Sequence, residues 1–422
     1  MLRRKMAVAF ILYAVLLPSA IFAKSNPPKV YQAPAEVIEK IKAEGMGENS
    51  KAMETLSYLT DVIGGRLTNS PNMKRANEWT RDTMTRWGMK NARLEAWGPF
   101  GRGWSLKEFS VQVVEPQAIP LIAYPKAWSP STKGAITGEV VHLQIKSEAD
   151  FEQYRGKLKG AIVLVDNMRD LKPDFEGIGR RWTDTQLLGM ANAPDPSMIA
   201  DRRGGQNFNP EQFLKSRQFI IKSLNFLLEE GAAVMVDNSS KGDGGTVFVS
   251  GAAAGGKVPE TIQEVFDTRI SSYNKEAESQ MIPQMTMSTE NYNQLVRLIK
   301  FGVKPKIKVN IQSQYHDEDL MGYNTIAEIP GSDPALKDEI VMLGAHLDSW
   351  HASGGATDNG AGSAVAMEAA RIILATGLKP RRTIRVALWS GEEQGLNGSR
   401  EYVKQQFGEM QGGGGRFAAL TG

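Results

Sequence analysis

The chain contains no cysteine, and this absence limits how it is stabilised and anchored. Without cysteine there are no disulfide bonds, so stability depends on the hydrophobic core and on any bound metal. An amino-terminal lipid anchor, which requires cysteine, is excluded too. The hydrophobic fraction is 41% and the charged fraction 23%, ordinary values for a globular protein, and 422 residues are enough for two domains.

Net charge is small as well, because 50 Lys and Arg residues nearly balance 47 Asp and Glu residues and leave +3. No basic stripe is visible, so the sequence gives no reason to propose a nucleic-acid partner. The glycines at 354–362 form neither a GxGxxG nor a Walker pattern, which disfavours a phosphate loop. No GxSxG elbow surrounds Ser390, and this disfavours serine hydrolysis.

Long apolar runs are also scarce. Met6 to Leu17 are twelve consecutive apolar or aromatic residues, fewer than the ~20 that a membrane-spanning helix needs. Because this run follows a basic start and ends near Ala23, we expect residues 1–23 to be a secretory signal peptide, with an uncleaved anchor as the alternative. Residues 24–34 are then a linker, and the mature protein is periplasmic or secreted, with no stable membrane anchor.

Beyond the linker, the pattern predicts three segments. Residues 35–114 are helical and then β-rich, and form the amino-terminal part of one domain. Residues 115–287 carry short β-rich runs and one or two helices, which indicates a compact β-rich domain inserted into the first. Residues 288–422 alternate strand and helix and complete the first domain. We therefore expect an α/β fold with a mixed sheet flanked by helices.

Two apolar runs in the last segment predict parallel neighbours. Residues 339–346 are nearly continuous in apolar character, typical of a strand buried on both faces, and 383–390 form a second run of this kind. Between them, 361–375 predicts an amphipathic helix. Strand, helix and strand at this spacing indicate a parallel βαβ unit, whose two strands end at the same edge of the sheet.

Metal-ligating residue types follow both strands. His346 ends the first strand, Asp358 begins the glycine-rich turn before the helix, and Glu392 and Glu393 follow the second. Carboxylate oxygens and one imidazole suit a hydrolytic zinc centre. One of the paired glutamates ligates metal while the other accepts a proton from metal-bound water. In an extended loop, Asp348 orients the imidazole of His346.

Plainer interpretations exist for each residue alone. A histidine after a strand is often only hydrogen-bonded, and a Glu-Glu pair in a loop is often only solvated. Together, at neighbouring strand ends, these residues favour the metal site. We interpret His351 as a rim residue beside the site, and His142 and His316 as structural residues elsewhere.

The motifs HLDSW, GATDNGAG and SGEEQGLNGS resemble the metal-binding segments of the co-catalytic zinc exopeptidases of metallopeptidase family twenty-eight, in particular its carboxypeptidase Q-like (plasma glutamate carboxypeptidase-like) members. The resemblance includes RLTNSPNMKRANEW at 66–79 and nearly all of the mature chain. It implies a zinc aminopeptidase or phosphorylase/hydrolase-like fold, and it identifies the insert at 115–287 as a protease-associated domain that covers the cleft.

The resemblance also assigns roles. It implies two zinc ions, with His346 on one, Asp358 bridging both and Glu393 on the other, and it makes Glu392 the general base. The implied reaction is hydrolysis of the terminal bond of a peptide or dipeptide substrate, and a homodimer is possible.

One departure from the family pattern leaves alternatives open. The family uses a further Asp and a further His as zinc ligands, whereas this sequence has no Asp after Asp358 and no His after His351. Since Gly422 is the last residue, we expect a catalytic domain that is incomplete, with an open sheet edge and weak zinc binding. The alternatives are an inactive truncated homologue, a metal-free binding protein on the same scaffold, or a single-zinc glutaminyl cyclase-like transferase, which the insert and the DNGAG turn make less favoured.

Overall fold

A computed structural model describes residues 33–173, 175, 177, 179, 181–192 and 209–408. The predicted signal peptide at 1–23, most of the predicted linker and the final fourteen residues lie outside this range. Within the described residues, no helix is long and apolar enough to cross a membrane.

Of the two sheets among the described residues, the first has four strands: β1 (Lys90–Trp97), β10 (Gly322–Ile329), β11 (Ile340–His346) and β12 (Thr383–Trp389). Their order is β1-β10-β12-β11, in which β11 and β12 are parallel and the other two pairings are antiparallel. The helices of this region are α1 (Ala35–Gly45), α2 (Ala52–Ser57), α3 (Pro71–Arg86), α8 (Ala361–Ala375) and α9 (Asn397–Phe407). The predicted mixed sheet flanked by helices is therefore confirmed.

Local sequence explains why α3 begins where it does. The hydroxyl oxygen of Ser70 accepts a hydrogen bond from the amide of Met73, and Pro71 occupies the first turn of α3, where no amide donor is needed. α8 connects β11 to β12 as the predicted crossover, and its buried Met367 and Ala370 pack with Val386 and Leu388 of β12. This packing fixes the two strand ends side by side.

β11 is less buried than its apolar sequence predicts. Ile340 is 46% exposed, Val341 50% and Met342 38%, whereas Val386 of β12 is fully buried. The prediction that both strands are buried on both faces is wrong for β11, because it is the last strand in the sheet order. The sequence of this strand indicates that it is apolar but does not indicate its position in the sheet.

The elements around the second sheet are β2 (Gly103–Glu115), β3 (Ile119–Pro120), β4 (Ala123–Pro125), β5 (Ile136–His142), β6 (Ile162–Leu164), α4 (Asp184–Ala191), α5 (Pro210–Glu229), β7 (Val234–Asn238), α6 (Ile262–Asp267), β8 (Gln284–Met287), α7 (Thr289–Lys300) and β9 (Lys306–His316). Its eight strands have the order β3-β2-β9-β5-β6-β7-β8-β4, with β5 to β8 parallel. Its core is lined by buried Val, Ile, Leu and Met from these strands and by one face of α7. π-helical turns lie at Tyr58–Ile63 and Ala356–Gly360, and 3-10 turns at Glu148–Gln153 and Lys275–Gln280.

Strand pairing divides the chain differently from the predicted boundaries at 115 and 287. β2 pairs along its length with β9, so the second sheet extends from residue 103 to residue 316. The β-rich run TVFVS at 246–250 forms no strand, and Gly251 makes an isolated bridge to Ala127. Alternating patterns identify strands but do not say which sheet they join. The protease-associated identity of this region stays a prediction.

Candidate metal centre

The two parallel strands bring the predicted site residues to one edge. His346 is the last residue of β11 and pairs in register with Trp389, the last of β12. Glu392 and Glu393 follow β12 directly. Asp358 lies in the turn Ala356–Gly360, which leads into α8 and is preceded by Gly355 in the left-handed conformation. A side chain at Gly355 would collide with Ser349, so a glycine is required for this approach.

Three side chains converge there. Ligand atoms of His346, Asp358 and Glu393 all lie within 4.8 Å of one another. Nε2 of His346 lies 3.0 Å from Oδ1 of Asp358. In the part of the chain that the structure describes, this is the one group of three or more such residues with this spacing. The structure thus places all three predicted ligands together, and their role as metal ligands stays a prediction.

The imidazole of His346 is held from its other side. Its Nδ1 lies 3.0 Å from the backbone carbonyl oxygen of Asp348 and 3.6 Å from the Oδ1 of that residue. The carboxylate therefore contributes mainly through its charge, and the carbonyl is the hydrogen-bond acceptor, which differs from the predicted arrangement. With Nδ1 bonded as a donor to this carbonyl, Nε2 is the nitrogen left to face the cluster.

Asp348 also ties the two loops together. Its Oδ2 accepts a hydrogen bond of 3.1 Å from the hydroxyl of Thr68 and one of 3.2 Å from the amide of Glu393. The side chain is fully buried, and its Oδ1 has no hydrogen-bond partner among the described residues. Asp348 thus links the loop after β11 to the loop after β12.

Glu392 lies at the margin of the cluster. Its Oε2 is 3.9 Å from Nε2 of His346, farther than the corresponding atom of Asp358. Its side chain is about one third exposed. The carboxylate therefore reaches the same imidazole without joining the three converging residues.

Electrostatics at the centre favour a cation. Burial alone would lower the pKa of His346, but the Asp348 carboxylate and the charge of Glu392 raise it to about 9. Burial, with the charges of Asp358 and Asp348, raises the pKa of Glu393 to about 7. Four carboxylates surround one imidazole, so the charges are not balanced by the protein groups at the centre. An imidazole nitrogen and carboxylate oxygens at this spacing are donors that fit zinc.

Arg66 is a contributor that the residue-type reasoning did not identify. Its fully buried guanidinium donates hydrogen bonds to the carbonyl oxygens of Leu59, Gly64, Leu347, Gly354 and Gly355. Burial lowers its pKa to about 10 despite the nearby acids. These hydrogen bonds fix the backbone of the loop between β11 and Asp358. The motif beginning at residue 66 carried the family resemblance but did not reveal this contact.

The remaining histidines lie outside the cluster. Nε2 of His351 is 2.7 Å from the carbonyl oxygen of Pro125, and its ring packs against those of Trp104 and Tyr124. Burial lowers its pKa to about 4. His351 is not one of the three converging residues, and its ring contacts the second sheet; its interpretation as a rim residue stays a prediction. His142 and His316 bond to the Asp166 carbonyl and the Ser105 hydroxyl.

Sequence comparison places this centre within a known family segment. Residues 324–412, which include all five predicted site residues, match the model described as Peptidase family M28. The predicted resemblance to this family is therefore confirmed.

The matches to curated relatives cover more of the chain than this family segment does. Carboxypeptidase Q of Bos taurus is 27% identical over 372 residues, which are 88% of this chain and 64% of that protein. Carboxypeptidase Q of Xenopus laevis is 38% identical over 123 residues, 29% of this chain and 26% of that protein. The chain thus spans less than two thirds of the length of these relatives.

One solved structure supports the fold. The crystal structure of a Peptidase M28 precursor from Shewanella amazonensis covers 88% of this chain and 70% of its own, with a TM-score of 0.52 and 24% identity. At this identity the likeness concerns the fold alone.

Proposed function

We propose that this chain, whose residues 324–412 match peptidase family M28, is an exported metallo-exopeptidase that hydrolyses terminal peptide bonds with two zinc ions. The observation that carries the proposal is the convergence of His346, Asp358 and Glu393 at the carboxyl edge of β11 and β12. Ligands in open α/β sheets bind at this edge. The names of the carboxypeptidase Q relatives support peptidase activity.

His346, Asp358 and Glu393 would hold zinc, which when bound supplies a Lewis acid for the scissile carbonyl and lowers the pKa of water. Three protein ligands suffice for one catalytic ion. Both oxygens of the Asp358 carboxylate are available for two ions, and a second ion needs donors in addition to these three.

Glu392 is proposed as the general base. It lies beside the ligand cluster without belonging to it, so its carboxylate is free to accept a proton from water and return it to the leaving amine. Asp348 is proposed as a positioning residue. It holds His346 through its carbonyl and the Glu393 loop through its carboxylate, and does not reach the reacting atoms.

Export follows from the predicted signal peptide at 1–23. The proposed location is periplasmic or secreted, and the proposed partner is a peptide or dipeptide substrate. Homodimerisation is proposed from the family resemblance alone.

Zinc quantitation on the purified chain, together with turnover of aminoacyl and dipeptide substrates with and without chelator, tests the proposal. We expect weakly bound zinc, chelator-sensitive hydrolysis, and a stoichiometry of two ions at saturating zinc. One ion per chain would remove the two-zinc part of the proposal. Hydrolysis that continues unchanged after full metal removal would refute the metallopeptidase assignment.

A further inference from the structure

A cavity of about 380 Å³ adjoins the candidate metal centre. Its lining includes Glu393 and Gln394 from the loop after β12, and Arg217 and Arg269 from the region of the second sheet. Arg217 lies on α5, and Arg269 follows α6. The volume falls within the range of ~300–1,000 Å³ that is usual for small-molecule sites. Since Glu393 belongs to both, a ligand in this cavity lies next to the proposed metal.

The cavity is positively charged on the side of the second sheet. Neither Arg217 nor Arg269 makes a salt bridge with any other residue that the structure describes, whereas Lys257 pairs with Glu264 at 2.9 Å. The guanidinium of Arg217 lies over the ring of Phe213, with 5.8 Å between its central carbon and the ring centroid. Burial and the charge of Arg269 lower the pKa of Arg217. Within the described part of the chain, these two cations therefore line the cavity without a salt-bridge partner.

Gln394 gives an independent indication of a ligand. Both polar atoms of its side-chain amide are shielded from solvent, and neither has a hydrogen-bond partner among the described residues. Buried amides are normally hydrogen-bonded, because leaving one unpaired is unfavourable. A group with a donor and an acceptor, such as a peptide bond, satisfies both atoms. Gln394 is adjacent to Glu393, so that peptide bond would lie near the proposed metal.

Apolar side chains form part of the cavity wall beside the two arginines. Trp128, Leu224 and Trp350 also line the cavity. These apolar side chains lower the local dielectric, so an ion pair formed beside them is stronger than one in bulk solution. Guanidinium groups match a carboxylate through two parallel hydrogen bonds.

We propose that Arg217 and Arg269 bind a carboxylate of the substrate and thereby determine its specificity. This inference rests on the proposed peptidase function and adds a substrate class to it. The substrates are short peptides in which a carboxylate lies a few atoms from the scissile bond. That carboxylate is either the free carboxyl terminus or an acidic side chain.

Calorimetric titration of the metal-free full chain tests the proposal without requiring turnover. The first pair is Gly-Leu with a free or an amidated carboxyl terminus. The second pair is Gly-Asp and Gly-Asn, both with amidated carboxyl termini, which differ in side-chain charge. We expect one charged peptide to bind about tenfold more tightly than its neutral counterpart, as loss of a charged hydrogen bond predicts. Whichever pair shows the preference identifies the source of the carboxylate.

R217M and R269M should each abolish that preference, and R217K should retain part of it. K215M is the matched control, because Lys215 lies on the same helix, pairs with Glu211 and does not line the cavity. It should keep the full preference. If R217M fails to fold, R269M still decides the question, since Arg269 is exposed.

The proposal is overturned if the wild-type chain prefers neither charged peptide, or if both arginine variants keep the preference. A chain that binds the charged peptide but hydrolyses nothing when loaded with zinc would overturn the proposed function and leave carboxylate binding standing.

Discussion

Both sheets carry acidic side chains at the carboxyl ends of parallel strands, but in the first sheet several of these acids surround one imidazole. In the second sheet, Asp237 at the end of β7 forms an ion pair with Lys126 and accepts a 2.8 Å hydrogen bond from Thr286. Asp166, after β6, accepts a 2.8 Å bond from the amide of Asn238. Each of these two carboxylates thus has an ion-pair or hydrogen-bond partner.

The first sheet is arranged differently. Asp358, Glu392 and Glu393 face one imidazole, and Oδ1 of the buried Asp348 has no partner among the described residues. The one buried cation nearby, Arg66, donates to backbone carbonyls rather than to these acids. The contrast shows that acids at strand ends do not by themselves indicate a metal site. Unbalanced negative charge around an imidazole is the feature that supports the proposed site.

The largest expected effect is on turnover. If the acids of the first sheet serve chemistry, Glu392→Gln should lower kcat by ~10²–10⁴-fold, the usual contribution of a general base, while zinc content stays at the wild-type value. The measurement pairs steady-state kinetics with zinc quantitation. Full turnover in this variant would mean that another group is the base.

Arg66→Met should be the most destabilising change at the first sheet. It leaves several buried carbonyl oxygens unpaired, and we expect a loss of about 3 kcal/mol in the free energy of unfolding. Zinc affinity should fall with it, because the loop before Asp358 loses its support. The control is Arg75→Met, which removes an exposed arginine that donates to the backbone carbonyl of Val62 and to the side chain of Asn72. Equal effects of the two variants in urea denaturation would contradict this role.

Neutralising one acid in each sheet tests the contrast directly. Asp237→Asn leaves Lys126 unpaired in a largely buried position, so we expect a loss of about 2 kcal/mol in metal-free protein. Glu393→Gln removes repulsion among acids, so the free energy of unfolding should be unchanged or rise by about 1 kcal/mol while zinc binding is lost. If both variants lose stability equally in the presence of chelator, the two clusters do not differ as described.

The smallest expected effect concerns pH. In the folded, metal-free protein the pKa of His346 is raised from 6.5 to about 9. This raised pKa stabilises the protein below about pH 6.5, and the stabilisation disappears as pH rises through about 9. The stability difference between wild type and His346→Gln, measured by denaturation in chelator, should therefore shrink over this interval. A difference that grows with pH would show that the sign is wrong.

Local sequence predicted much of the candidate site. The apolar runs at 339–346 and 383–390 with the intervening helix specified a parallel pair, and His346, Asp358 and Glu393 lie together because they follow its strands closely. The role of Asp348 was anticipated only in part, because whether its carbonyl or its carboxylate faces the imidazole depends on loop conformation. The contribution of Arg66 was not anticipated, since its acceptors come from four separate places in the chain.

By itself, then, the sequence determined the α/β character, the crossover unit and the residue types at its edge, because strand and helix periodicity and short loops are local properties. Tertiary structure decided that β11 lies at the sheet edge, that β2 and β9 join the second sheet, and that His351 is covered by Tyr124 and Trp104. It also brought Arg217 and Arg269 to the cavity beside Glu393. These features depend on contacts between distant segments, and such contacts are selected by the packing of the whole molecule rather than by any local pattern.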